Sequence, residues 1–169
     1  VLGVGEIGFD LITDQEEEIF RQQLRIAIER DLLVILHSPH QNKLKGIERS
    51  IEIIKEENAT EERIILDHNT EETMELTLRE TKCMAGMTIY YVTKLSAERA
   101  VNMMAQYGTD RMIINGSADW GYSNPLAVPR AAMVMRKSGY FSEAEVQKVT
   151  FDNPYNFLAQ SPRFRLQRP

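Results

Sequence analysis

Short apolar segments alternate along the chain with longer segments in which apolar residues recur every three or four positions. The short segments predict five strands, at residues 1–4, 32–36, 64–66, 82–91 and 112–114. The segment 32–36 is continuously apolar, which is typical of a strand that is buried on both faces. No hairpin signal joins any two of the strands, so the alternation predicts an α/β fold made of parallel βαβ units.

Helix start signals precede the longer segments. Thr13 and Glu16 form one capping box, and Ser142 and Glu145 form a second. The inward residues of the first predicted helix share helical spacing and are Ile19, Phe20, Leu24, Ala27 and Ile28. A second helix is predicted to contain Leu44, and a last one to begin at Asn153. Between them, three helices are predicted to follow caps, which are Asn69 or Thr70, Ser96, and Asn124.

The composition indicates one domain over residues 1–169, since 43% hydrophobic residues can form a sizeable core. The formal charge of -5 gives no reason to expect strong nonspecific binding to nucleic acid. A local patch or bound metal ions could still reverse the field at a site, so a nucleic-acid substrate stays open. The single Cys83 favours a cytoplasmic protein without disulfides. No apolar run has the length of a membrane span, and no signal peptide is recognisable.

Candidate ligands for a metal ion end four of the predicted strands. These residues are Glu6, His37, His68 and Asp119, and the fourth strand, 82–91, carries no obvious ligand. A charged residue at the end of a buried strand is unfavourable unless it is neutralised. Carboxylate and imidazole groups suit zinc and manganese, and with two ions a glutamate can bridge both while an aspartate activates a water molecule.

Simpler interpretations exist for each of these residues. A histidine at a strand end is more often a hydrogen-bonded structural residue than a ligand. Asp119 could form an Asx turn, and Glu6 could be a paired charge at the edge of the sheet. Loop residues near these strand ends are interpreted as the rim or wall of a pocket, and they are His40, Trp120 and Tyr122.

The convergence of four strand ends decides between two architectures. An open sheet would separate neighbouring tips by about 4.8 Å per strand, which is too far for all four residues to share a metal site. A barrel directs consecutive strand ends toward one axis, and its ligands come from several strands. The sequence therefore predicts a partial TIM-type (β/α) barrel.

The motifs resemble the TatD-related branch of the metal-dependent amidohydrolase superfamily. The resemblance is carried by Gly5-Glu6-Ile7-Gly8, the order and spacing of His37, His68 and Asp119, and the late Asn-Pro-Tyr-Asn-Phe segment. It implies that the five strands are the fourth to eighth of a (β/α)₈ barrel. It also implies two divalent ions of zinc, manganese or magnesium, with Glu6 bridging both. In this scheme His37 and His68 complete one metal site, while Asp119 belongs to the other and acts as the base.

Family members are known as deoxyribonucleases or phosphoesterases, so the resemblance implies hydrolysis of a phosphoester by a metal-activated water. The His-x-His pair of the family's first strand does not occur in the 169 residues, and the chain begins inside a strand without an initiator Met. We therefore expect an N-terminally truncated barrel with open edges through which it could self-associate. Two alternatives remain, a catalytically silent fragment with a structural or partner-binding role, and an amidohydrolase or lactonase acting on a small molecule.

Overall fold

The computed structural model describes residues 1–117, 121 and 123–168, and its centre is one parallel sheet of five strands. The strands are β1 (Gly3–Gly8), β2 (Leu33–His37), β3 (Ile64–Leu66), β4 (Met84–Ile89) and β5 (Met112–Gly116). They lie in the order of the sequence, and a helical connection joins each strand to the next. This arrangement confirms the predicted α/β fold. Within the described residues, β1 and β5 each pair on one side only.

Seven α-helices are present in the described residues, and two short irregular helices adjoin them. The α-helices are α1 (Asp14–Glu29), α2 (Lys43–Glu56), α3 (Met74–Glu80), α4 (Ala97–Tyr107), α5 (Ala127–Ser138), α6 (Glu143–Gln147) and α7 (Asn153–Ala159). A 3₁₀ turn at Glu61–Arg63 precedes β3, and a π-helical turn at Lys148–Asp152 joins α6 to α7.

The helix starts confirm the predicted caps Thr13, Ser96 and Ser142. The prediction that Asn124 caps α5 was wrong, because Leu126 stands at the cap position and the Asn124 side chain accepts a hydrogen bond from the Leu126 amide. The Thr13 side chain accepts a hydrogen bond from the Glu16 amide at 3.2 Å, and the Glu16 carboxylate accepts one from the Thr13 amide at 2.9 Å. The second capping box, at Ser142, also forms. The prediction that Asn69 or Thr70 caps α3 was wrong. The Asn69 amide instead donates to the Leu66 carbonyl, and its oxygen accepts bonds from threonine side chains at the start of α3 and within it.

The predicted inward face of α1 was too wide. Phe20, Leu24 and Ala27 are buried, whereas Ile19 and Ile28 are 47% and 43% exposed. The three buried residues form one stripe, and the two isoleucines lie roughly a quarter turn away on either side of it. Only a narrow stripe of this helix therefore packs against the sheet.

Two layers of apolar side chains cover opposite faces of the sheet. On the outer face, helices α1 and α2 pack over β1–β3, and α4 and α5 pack over β4 and β5. On the inner face, Phe157 of α7 packs against Leu33, Ile65 and Ile113 near the amino ends of the strands. Because side chains alternate along a strand, Ile35 shares the inner face with Leu33. It is 36% exposed, so the inner face is open toward the carboxyl ends of the strands.

The start of α7 is fixed by the asparagine of the late Asn-Pro segment. The side-chain amide of Asn153 is buried and donates to the carbonyl oxygens of Thr109 and Met112, at 2.8 and 2.7 Å. These bonds connect α7 to the beginning of β5. The segment therefore has a clear structural role at the opposite end of the strand from the candidate ligands.

Candidate metal centre

The side chains of Glu6, His37 and His68 meet at the carboxyl ends of the first three strands. Each offers one ligand atom, and these atoms all lie within 4.8 Å of one another. The Glu6 carboxylate lies 3.5 Å from the Nδ1 of His37 and 3.2 Å from the Nε2 of His68. Three of the four predicted ligands are therefore brought together by the fold.

A local irregularity in β1 places Glu6 in this group. The pairing of β1 with β2 shifts register between Val4 and Ile7, so Gly5 and Glu6 fall outside the regular ladder. Such bulges redirect a side chain next to the break. The glycine is also required by space, because a Cβ at Gly5 would lie 2.9 Å from the Cβ of Ile35 on the neighbouring strand.

The two histidines reach the site from different backbone geometries. His37 is the last residue of β2, whereas His68 lies two residues beyond β3 with φ of 61°, in the left-handed region that non-glycine residues seldom adopt. Its backbone amide donates to the Oδ1 of Asp67 at 2.6 Å. The ring centroids are 4.9 Å apart and nearly perpendicular. Strained backbone of this kind is concentrated at functional sites.

A buried chain of polar groups orients the His68 ring. Its Nδ1 lies 2.6 Å from the Thr88 hydroxyl, which in turn donates to Asp67 at 3.4 Å. Because the Thr88 proton is directed at Asp67, its oxygen accepts the proton of Nδ1, and Nε2 is the ring atom that faces Glu6. The side-chain amide of Asn115 completes the chain by donating to Asp67 at 2.8 Å.

Sequence reasoning missed Thr88, Asp67 and Asn115. The segment 82–91 was predicted without an obvious ligand, and β4 contributes a supporting residue instead, since the Thr88 hydroxyl accepts the hydrogen bond from His68. The sequence feature that could have identified these three residues is a polar side chain near the end of a buried strand. All three side chains lie at strand ends next to the candidate ligands, where a purely structural sheet has no need of them.

The electrostatics of the group suit a bound cation. Hydrogen bonds from His37 and then from His68 lower the pKa of Glu6 well below its usual range, despite partial burial of the carboxyl. Metal ligands must be deprotonated, and an ionised carboxylate beside two imidazoles meets that requirement once a cation takes the place of the proton between His68 and Glu6. The donor set is the one that zinc and manganese use in proteins.

A cavity of about 860 Å³ opens above the three ligands. Its wall includes Asp10, Ile35, His40 and Lys94, and His40 is exposed at the rim as the sequence suggested. The pKa of His40 is lowered mainly because its ring is partly shielded from water, and the positive charges of Lys43 and Lys94 lower it further. The predicted ligand Asp119 and the predicted wall residues Trp120 and Tyr122 lie outside the described residues.

A largely buried lysine connects the ends of β2 and β3. The Nζ of Lys43 donates to the Ser38 hydroxyl at 2.9 Å, and this hydroxyl donates to the carbonyl oxygen of Asp67 at 2.9 Å. Burial and the nearby charge of Lys94 lower the pKa of Lys43 to about 8. This hydrogen-bonded connection therefore includes a titratable group whose protonation differs between the folded and the unfolded chain.

We expect stability to depend on pH through Lys43. In the unfolded chain this lysine has a pKa near its ordinary value of 10.5, so between about pH 8 and 10.5 the unfolded chain binds the proton that the folded chain releases. The free energy of unfolding should rise with pH across this window, and the gain should be lost as the pH falls through about 8. Urea denaturation at several pH values should show a smaller rise for Lys43→Met than for the exposed control Lys45→Met.

This structure combines a parallel α/β sheet with a carboxylate and two imidazoles at adjacent strand ends. The combination indicates a protein of the metal-dependent hydrolase class. The family model described as TatD related DNase matches residues 1–159. The chain therefore belongs to the TatD-related DNase family. In the described residues, no helix has both the length and the apolar character that crossing a membrane requires.

Individual relatives agree with this assignment. The chain is 26% identical over 149 residues to an uncharacterized metal-dependent hydrolase of Methanocaldococcus jannaschii, covering 88% of this chain and 58% of the relative. A TatD-like protein from Archaeoglobus fulgidus is 29% identical with a TM-score of 0.76, and the match covers 94% of this chain and 60% of that protein.

A more distant structure supports the fold alone. The phosphotriesterase homology protein from Escherichia coli, solved with phosphate in its active site, is 17% identical with a TM-score of 0.73. The match covers 92% of this chain and 59% of that protein. In each of these comparisons the chain spans about three fifths of the length of its relative.

Proposed function

We propose that this chain supplies the metal-binding strands of a hydrolase that attacks phosphoesters with a metal-activated water. The observation that carries the proposal is the approach of Glu6, His37 and His68, whose ligand atoms lie within 4.8 Å of one another. Membership of the TatD-related DNase family supports the same reaction class.

The proposed ligands have separate tasks in this reaction. Glu6 provides the negative charge that attracts a cation, while His37 and His68 provide neutral nitrogen donors. The Thr88 hydroxyl keeps the proton of His68 on Nδ1 and so holds Nε2 available. A divalent ion, when bound, acts as a Lewis acid and makes water acidic enough to attack at neutral pH. The proposal keeps Asp119 as a further ligand and as the base for that water, and includes two ions, of zinc, manganese or magnesium.

The proposal also includes the barrel architecture and the single domain that the sequence predicted. It assigns β1 to β5 to the fourth to eighth strands of a (β/α)₈ barrel, with residues 1–169 as one domain. The sequential strand order and the inner face that opens at the carboxyl ends support this assignment. On this proposal, the unpaired sides of β1 and β5 are where further strands or a second chain would pair.

Phosphoesters are preferred to other substrates for two reasons. The family description names a DNase, and the phosphotriesterase homology protein, similar in fold, was solved with phosphate in its active site. Other structures of similar fold include a β-aspartyl dipeptidase and a protein engineered for organophosphate hydrolysis from a weak promiscuous lactonase, so amide and lactone substrates form the comparison set.

The test combines metal analysis with a substrate panel. The purified protein should contain a divalent metal after dialysis, and with added zinc or manganese it should hydrolyse bis(p-nitrophenyl) phosphate, p-nitrophenyl phosphate or DNA faster than a lactone or a p-nitroanilide. Retention of metal without any turnover would favour the silent, partner-binding alternative. Turnover confined to the lactone or the anilide would replace the phosphoester assignment.

A further inference from the structure

Lys94 holds a positive charge directly beside the candidate ligands. Its Nζ lies 3.0 Å from the Nε2 of His68, the same atom that faces Glu6. Among the described residues on the wall of the 860 Å³ cavity, Lys94 is the single lysine or arginine, whereas Glu6, Asp10 and Asp67 are acidic. The cavity therefore has one fixed cation next to its metal-binding group.

The backbone of Lys94 is anchored, so the ammonium group is presented to the cavity from a fixed base. Its amide donates to the Tyr90 carbonyl at 2.8 Å, and its carbonyl accepts a bond from Arg99 at 2.9 Å. Arg99 is itself held by the Glu71 carboxylate, which accepts hydrogen bonds from its Nε and Nη2. The next residue, Leu95, is buried in the core.

A cation at this position has a chemical consequence. An ammonium group and a metal ion on one wall repel each other unless an anion contacts both. Lysine is a common point-charge partner of phosphate, and a phosphomonoester or phosphodiester has anionic non-bridging oxygens that can contact two cations at once. Neutral lactones and amides lack such a charge. The position of Lys94 therefore favours an anionic substrate.

We propose that Lys94 binds an anionic oxygen of the substrate and so selects phosphomonoesters and phosphodiesters over neutral esters and amides. This inference rests on the proposed function, because it concerns the same cavity. It extends that function by naming the residue that recognises the charge of the substrate, which is distinct from the metal ligands themselves.

Inorganic phosphate is the probe for this assignment. Isothermal titration calorimetry on zinc-loaded protein should give a phosphate Kd that is on the order of tenfold higher in Lys94→Met than in wild type, since a charge-assisted hydrogen bond is lost. Lys94→Arg should keep most of the affinity. The matched control Lys45→Met, an exposed lysine of α2 away from the cavity wall, should equal wild type.

Metal content, measured in the same samples, separates this role from a structural one. It should be equal in wild type and Lys94→Met. Phosphate affinity unchanged in Lys94→Met, or absence of phosphate binding by wild type, would overturn the assignment. A lower phosphate affinity accompanied by loss of metal would also overturn it, because Lys94 would then act on the metal centre.

The proposed function can fail separately from this inference. Phosphate binding that depends on Lys94, in a wild-type protein that hydrolyses no phosphoester, would reject the hydrolase while keeping the anion site. Phosphodiester hydrolysis with the same KM in wild type and Lys94→Met would keep the hydrolase and reject the role of Lys94.

Discussion

Replacing Glu6 by glutamine should remove bound metal and abolish hydrolysis. Glutamine keeps the size of the side chain but loses the negative charge that faces both His37 and His68. Loss of a residue that only supports a metal ligand typically lowers metal affinity about 10–100-fold, so loss of a ligand should exceed the upper end of that range. Metal analysis after dialysis and the initial rate with bis(p-nitrophenyl) phosphate measure the two effects.

The matched control for this variant is Glu48→Gln. Glu48 is an exposed glutamate on α2, outside the candidate site. The Glu48→Gln protein should bind metal and hydrolyse substrate as the wild type does. A Glu6→Gln protein that retains the wild-type metal content while remaining folded by circular dichroism would refute the assignment of Glu6 as a ligand.

Replacing Gly86 by alanine should damage the same site from β4. A Cβ at Gly86 would overlap the Oδ1 of Asp67 and would lie 2.9 Å from the Cγ2 of Ile65. Asp67 would have to move, and the bonds that it makes to the His68 amide and to Asn115 would be lost. Because these bonds hold the strained backbone and the ring of His68, metal affinity should fall roughly 10–100-fold. Competition with a chelator of known affinity measures this change.

Gly116→Ala provides the comparison for the Gly86 variant. Among the described residues, a Cβ at Gly116, the last residue of β5, would meet only the Cβ of Ala127, at an ordinary 3.5 Å. Its metal affinity should therefore stay close to wild type. If Gly86→Ala bound metal as tightly as Gly116→Ala, the proposed dependence of His68 on Asp67 would be wrong.

Sequence patterns alone were sufficient to predict the sheet and three of the candidate ligands. Continuous apolar runs identify parallel strands buried on both faces, and a charged or polar residue at the end of such a run needs a partner there, which made these residues candidates for a site. Glu6 lies two residues before the end of β1, His37 ends β2, and His68 closely follows β3, so their convergence followed from the parallel arrangement. The role of Asp119 stays a prediction, because it lies outside the described residues.

The supporting contacts could not be predicted in the same way. The bond between Thr88 and His68 depends on the pairing register of neighbouring strands and on the left-handed backbone of His68. Asn69 illustrates the same limit, since its side chain could bond either the start of a helix or a nearby strand carbonyl. The folded structure uses the second option, together with threonines of α3. Choices of this kind are made by tertiary contacts.

The spacing of the three ligands along the chain bears on how the site is assembled. Glu6 and His37 are 31 positions apart, and so are His37 and His68. Each interval is one βα unit, so the ligands come from three adjacent strands near the start of this sequence. Loop closure over such short intervals is rapid, and native contacts of low sequence separation tend to form early. The contact between Thr88 and His68 spans only 20 positions, whereas Glu6 and His68 are 62 positions apart. We therefore expect the hydroxyl that orients the His68 ring to be in place no later than the carboxylate of Glu6.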